Sequence, residues 1–207
     1  RAAGAEALVA LDMGPLGELL EPLGTLTFER AYELFRQMAL AGAAAGADLA
    51  VIETMTDLYE AKAALLAVKE NTDLPVIVTM SFDETGRTFT GCTVASMART
   101  LEGLRADAIG LNCSLGPDRL APLLEELARN TRLPVAAKPN AGLPDPATGL
   151  YDMGPEDFAA ALAPCLDLGV TLFGGCCGTS PDYIRRLRHA LEGRRPASRR
   201  YEPAGFV

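Results

Sequence analysis

Six short runs of aliphatic and β-branched residues, each followed by a longer stretch rich in Ala, Leu and Glu with helical spacing, constrain this chain more than any other feature. The runs are ALVALD (7–12), DLAVIET (48–54), PVIVTMSF (75–82), DAIGLNC (107–113), PVAAKPN (134–140) and VTLFGG (170–175). The helical stretches cover 27–46, 57–70, 93–105, 118–130, 155–168 and 180–192. The runs are almost continuously apolar, as strands covered on both faces must be, and parallel strands need such crossover helices between them. Six successive βα units therefore predict an α/β fold with a parallel sheet. Local punctuation agrees. Ser180-Pro181-Asp182 is a good helix start, Gly46, Gly103 and Gly169 fall where helices should stop, and Thr27 with Arg30 makes only a poor capping box.

Two architectures accept this string. A doubly wound sheet places its site at one topological switch point, whereas a (β/α)8 barrel gathers residues from many strand ends around one mouth. Asp12, Glu53, Asn112 with Cys113, Lys138 with Asn140, and Cys176 with Cys177 all sit at the C-terminal ends of predicted strands. Polar and thiol groups at five separate strand ends predict a barrel mouth. A full barrel uses eight units, so the expectation is a TIM-type (β/α)8 barrel truncated at its N-terminus to about six βα units. It would occupy 1–193, with 194–207 (RRPASRRYEPAGFV) as a tail or a linker to another domain.

The charge balance narrows the partners. Nineteen Lys and Arg against 27 Asp and Glu give a net charge of −8, which argues against a nucleic-acid backbone as ligand. No apolar run approaches the roughly 18 residues of a membrane helix, and the N-terminus does not read as a signal peptide, so a cytoplasmic location is expected. There thiols stay reduced, and the five cysteines are available for metal or catalysis rather than a disulfide framework.

Two of them are adjacent, in FGGCCGTSPD (173–182). A regular strand would send Cys176 and Cys177 to opposite faces, so the flanking glycines must let the chain bend. Cys113 ends another strand, in GLNCSLGP, and separate strands of one parallel sheet can bring all three thiols to one rim. Three thiolates leave one position of a tetrahedral zinc ion open, the arrangement of a reactive rather than a structural zinc. The plainer alternatives are small buried residues or a strained vicinal disulfide. Cys92, in a loop, and Cys165, inside a predicted helix, read as such packing residues. His189 is the only histidine and lies late in the last helix, where a surface role is expected.

FGGCCGTSPDYI, GLNCSLGP, KPNAGLP, DLAVIETMTDLYEAKAAL and TMSFDETGRTFTG together resemble the homocysteine S-methyltransferase family. Within it the likeness is strongest to the homocysteine-binding domain of the cobalamin-dependent methionine synthases, and betaine–homocysteine methyltransferases are more distant. The resemblance implies a (β/α)8 barrel with zinc held by Cys113, Cys176 and Cys177, and transfer of a methyl group to L-homocysteine to give methionine. It further implies Glu53 as the anchor of the homocysteine amino group, Asn112 beside the substrate, and Asn140 as the fourth zinc ligand before substrate binds. Methylcobalamin or another methyl donor would come from another domain or protein, such as a corrinoid protein or a folate-binding domain. Betaine and S-methylmethionine are the alternative donors. Lys138 is a candidate for attracting a substrate carboxylate, with a solvated or packed lysine as the plainer reading. Family members usually begin with a DGAMGT-like strand loop and a second βα unit, neither of which is in this sequence. A noncatalytic zinc-binding partial barrel acting in assembly is therefore a second expectation, and a redox protein using Cys176 and Cys177 a third.

Overall fold

The computed structural model describes residues 7–202; positions 1–6 of the expected domain and 203–207 of the expected tail lie outside the described residues. All six βα units form. In chain order they are β1 (Ala10–Met13), α1 (Phe28–Ala44), β2 (Leu49–Met55), α2 (Leu58–Asn71), β3 (Val76–Met80), α3 (Val94–Gly103), β4 (Ala108–Asn112), α4 (Pro117–Asn130), β5 (Val135–Lys138), α5 (Pro155–Leu162), β6 (Leu172–Phe173) and α6 (Pro181–Leu191). The strands make one parallel sheet in the order β1-β2-β3-β4-β5-β6. A doubly wound sheet reverses its strand order at a switch point, whereas a barrel wall adds each strand beside the last. The unreversed order is that of a barrel wall.

Alternation along the strands sorts side chains between two faces. Ala50 and Ile52 of β2 and Val76, Val78 and Met80 of β3 are fully buried against the helices. Leu49, Val51 and Glu53 alternate with them and stay half-buried. Phe35 of α1 and Phe158 of α5 are among the largest fully buried side chains of this single core. The expectation of cover on both faces holds for β4, which is buried throughout, and fails at the sheet edges. Ala10 and Asp12 of β1 and Leu172 of β6 are exposed there.

Several local features differ from the sequence reading. Thr27 does cap α1, its hydroxyl accepting from the Arg30 N–H at 3.2 Å; the missing half of the box is a Glu or Gln at position 30. Gly103 is the last residue of α3, and the left-handed turn after it is made by Arg105 (φ 66°). Ser180 precedes α6 without a capping bond from its side chain. The stretch 155–168 divides into α5 and a 3-10 turn, Ala163–Leu168, because Pro164 has no N–H to continue the ladder. Gly169 ends that turn in the left-handed region.

Residues 194–202 run from the 3-10 turn, where Arg194 pairs with Asp167, to the end of α4 and its connection to β5. Arg199 donates to the carbonyls of Leu133 (2.6 Å) and Arg132 (3.2 Å), Ala197 N–H reaches the Leu166 carbonyl, and the Arg132 guanidinium stacks 4.3 Å from the Tyr201 ring. Among the described residues no helix is long and apolar enough to cross a membrane.

Candidate metal centre

The strand ends on which the thiols stand are held by unusual backbone. After β4, Cys113 and Ser114 both adopt left-handed conformations, with φ of 60° and 57°. Each costs roughly 1–2 kcal/mol for a residue with a Cβ, so the surroundings must hold them there. One such restraint is the Cys113 N–H, which donates to the Lys138 carbonyl at 3.1 Å. After β6, the Cys176 N–H donates to the Pro139 carbonyl (2.9 Å) and the Cys177 N–H to Asn140 Oδ1 (3.1 Å). The Ala141 N–H in turn donates to the Cys177 carbonyl at 2.9 Å. The segment 138–141 thus lies between the two cysteine loops and bonds to both. Gly178 completes the bend: its φ is 79°, and a Cβ there would sit 2.4 Å from the Tyr151 ring.

The bend brings the two neighbouring sulfurs to one side. The Sγ atoms of Cys113, Cys176 and Cys177 all lie within 4.8 Å of one another, and Cys113 and Cys177 are 3.7 Å apart. Tetrahedral zinc with Zn–S bonds of about 2.3 Å requires sulfurs about 3.8 Å apart, so the residues fit the ion. The hydrogen bond from Cys176 draws the Cys113 thiol down to about 7, and the same bond, together with burial, pushes Cys176 well up. Cys92 and Cys165 stand outside the group, and burial pushes each up to about 11, as packing residues behave.

The remaining site residues extend from this rim. Thr54 bulges out of β2 between Ile52 and Met55, in a left-handed conformation (φ 62°) that is a genuine outlier for a β-branched side chain. Asn112 holds the bulge. Its Oδ1 accepts from the Thr54 N–H (2.9 Å) and its Nδ2 donates to Thr54 Oγ1 (2.7 Å) and, at 3.7 Å, to Cys176 Sγ. Its carbonyl accepts from Ser81 Oγ at 2.8 Å. Asn112, expected among the substrate contacts, has no exposed surface, and this geometry makes it a strut between Thr54 and Cys176. Asn140 is buried with its amide oxygen on the Cys177 N–H, which leaves that oxygen a second lone pair. Glu53, just before the bulge, is paired with Lys138 across the ends of β2 and β5. His189 is exposed beside Glu192 on α6.

Two contributors escape the sequence reading, Thr54 and Tyr151. The Tyr151 ring covers Gly178, and its hydroxyl is pushed upward first by burial and then by a hydrogen bond with Cys177. The available signal for Tyr151 is an aromatic residue directly after the Pro- and Gly-rich stretch GLPDPATGL.

Known proteins carry the same arrangement of elements. The chain superimposes on the apo form of the homocysteine methyltransferase MmuM from Escherichia coli with a TM-score of 0.71 at 24% identity, covering 88% of this chain and 62% of that one. The carboxyl transferase domain of Rhizobium etli pyruvate carboxylase, at 15% identity and a TM-score of 0.60, shares the fold over 95% of this chain. In sequence the chain is 36% identical to the methionine synthase of Mycobacterium leprae and 35% identical to that of Mycobacterium tuberculosis, in each case over 93% of its length. It spans 17% of the length of either relative. The profile described as homocysteine S-methyltransferase matches residues 1–191, which contain all three clustered thiols, Glu53 and Asn140. With a profile match over nearly the whole chain and relatives above one-third identity, this α/β barrel wall belongs to the homocysteine S-methyltransferase family.

Proposed function

We propose that this chain is the part of a zinc-dependent methyltransferase that binds L-homocysteine and prepares its thiol to receive a methyl group, giving methionine. The observation that carries the reading is the three-thiol cluster, whose spacing suits one tetrahedral ion with a position left over. Zinc held by Cys113, Cys176 and Cys177 would favour ionisation of a fourth thiol, whose unassisted pKa of about 8.5 leaves it largely protonated at neutral pH.

The chain's own residues do the rest. Glu53 presents a carboxylate at the mouth for the substrate's ammonium group. Asn112 fixes the bulge beside Glu53 relative to Cys176, and so sets the distance between the amino end of the site and its sulfur end. Asn140, whose amide oxygen accepts from the Cys177 N–H, would offer that oxygen to the ion in the absence of substrate, as a weaker donor than a thiolate. The methyl donor in this reading is methylcobalamin on a corrinoid protein or domain, in line with the methionine synthase relatives; betaine and S-methylmethionine are the alternatives. Free thiols of this kind belong in a reducing compartment, and a cytoplasmic site of action goes with the proposal.

The test is zinc content and X-ray absorption of the reduced protein with and without L-homocysteine. One zinc per chain with three sulfurs, rising to four with homocysteine, is expected; a folded, reduced chain without zinc overturns the proposal. A noncatalytic zinc-binding assembly module is the second reading, favoured by the exposed apolar edge at Leu8 and Val9. It predicts zinc retained with the sulfur count unchanged by homocysteine.

A further inference from the structure

We infer that Lys138 is an internal stand-in for the substrate's ammonium group, competing with it for Glu53 and moving from Glu53 to Asp12 when an amino-bearing thiol enters. The inference rests on the proposed role of Glu53 as the ammonium anchor.

Lys138 and Glu53 come from β5 and β2, two strands separated by β3 and β4, so their pairing spans the rim rather than joining neighbours. Both side chains remain about a quarter exposed, within reach of an entering ligand. The lysine stem passes over Gly174, where a Cβ would come within 3.1 Å of Lys138 Cγ, so the residue at the end of β6 leaves its path open. On the free protein the carboxylate that a substrate ammonium needs is already occupied by an ammonium.

Asp12 supplies the second seat. It lies on β1 opposite Val51, and Glu53 is two residues further along β2, so both carboxylates rise on the same face of adjacent strands. Asp12 is exposed at the sheet edge, yet partial desolvation of its carboxyl and the charge of Glu53 raise it while Lys138 lowers it. Two carboxylates and one ammonium carry a net charge of −1. A second ammonium gives each carboxylate of the trio its own cation, with Lys138 turning to Asp12 and the ligand taking Glu53. A ligand without an amino group brings the same carboxylate as homocysteine and no cation to offset it. Lysine suits such an exchange, because its ammonium is a point charge on a flexible stem, whereas arginine holds a carboxylate by a planar two-pronged fork.

The experiment is calorimetric titration of the zinc-loaded full chain with L-homocysteine and with 4-mercaptobutyrate, which has the same thiol and carboxylate and no amino group. Lys138→Met should raise the preference for homocysteine over 4-mercaptobutyrate roughly fivefold, about what a partly exposed ion pair contributes. Lys138→Arg, which keeps a competing cation, should not raise it. Asp12→Asn should weaken homocysteine binding several-fold in the native background and less than about twofold beside Lys138→Met, a non-additivity expected of groups that share one partner. Lys138→Gln is read in its place where Lys138→Met does not fold. An unchanged preference in the neutral variants overturns the inference, and so does weaker binding of both ligands, which would assign Lys138 to the substrate carboxylate. If the unaltered protein binds neither thiol, the reading of the thiol site itself has failed, and the inference falls with it.

Discussion

The two ends of the site are built by opposite means. The sulfur end is fixed by backbone: Cys113, Cys176 and Cys177 each donate a main-chain N–H to the segment 138–140, and two consecutive left-handed residues are held in place. The amino end is made of side chains on rotatable stems, Glu53, Lys138 and Asp12, related by charge and partly exposed. A metal tolerates little error in ligand position, while a charged substrate group needs a partner that can be exchanged. Rigidity is therefore concentrated where, in the proposed role, three sulfurs would meet one ion.

The strongest way to break this contrast is at the sulfur end. Changes to outer-shell residues of metal sites cost 10- to 100-fold in affinity, so loss of a ligand in Cys113→Ser, Cys176→Ser or Cys177→Ser should weaken zinc at least about 100-fold, measured by competition with a chelator. Equal losses at all three are expected; a variant that binds zinc as the parent does would remove that cysteine from the ligand set.

Next in size is a pH effect on the metal-free, reduced protein. Only the thiolate reacts with iodoacetamide, so a Cys113 thiol near 7 in place of the usual 9 should be alkylated with a midpoint near pH 7. Cys92 should stay slow until far more alkaline pH, its thiol being near 11. Peptide mapping across the pH series separates the two; a Cys113 midpoint near 9 would show that the bond from Cys176 is absent in solution.

Asn112→Ala tests the link between the ends. Losing the bonds to Thr54 should destabilise the fold by about 1–3 kcal/mol in urea titration, and losing the contact with Cys176 should weaken zinc by tenfold or more. Stability lost with zinc affinity intact would confine the strut to the Thr54 bulge.

The smallest expected effect belongs to the amino end. Glu53→Gln breaks a partly exposed ion pair and should change folding stability by less than about 1 kcal/mol, while homocysteine binding falls sharply. A large loss of stability would show that the amino end is as structural as the sulfur end.

The sequence reading succeeded where one residue type carries its own physical signature. Apolar runs separated by helical periodicity gave six βα units, and adjacent cysteines among glycines marked the thiol rim. It faltered where the outcome depends on distant chain. The left-handed Thr54 contradicts local preference and is held by Asn112, which comes from another strand. Tyr151 reaches the thiols only because a loop folds back over Gly178. Lys138 reads as a candidate for attracting a substrate carboxylate or as a solvated or packed lysine, and its pairing with Glu53 becomes visible only when β2 and β5 share a rim. Arg105 takes the left-handed position expected near Gly103, since three-dimensional context outweighs a preference worth about 1 kcal/mol.

The segment 138–141 has a further consequence for the order in which the molecule assembles. It bonds to Cys113 on one side and to Cys176 and Cys177 on the other, so the three thiols converge only once β5 is seated between β4 and β6. During synthesis Cys113 leaves the ribosome long before its partners, a single thiol with no neighbour to share an ion. Non-local contacts of this kind form late, after loop closure has been completed. In the proposed role, metal capture would act as a checkpoint on the finished wall, and a chain that has mispaired β5 would be left without the site.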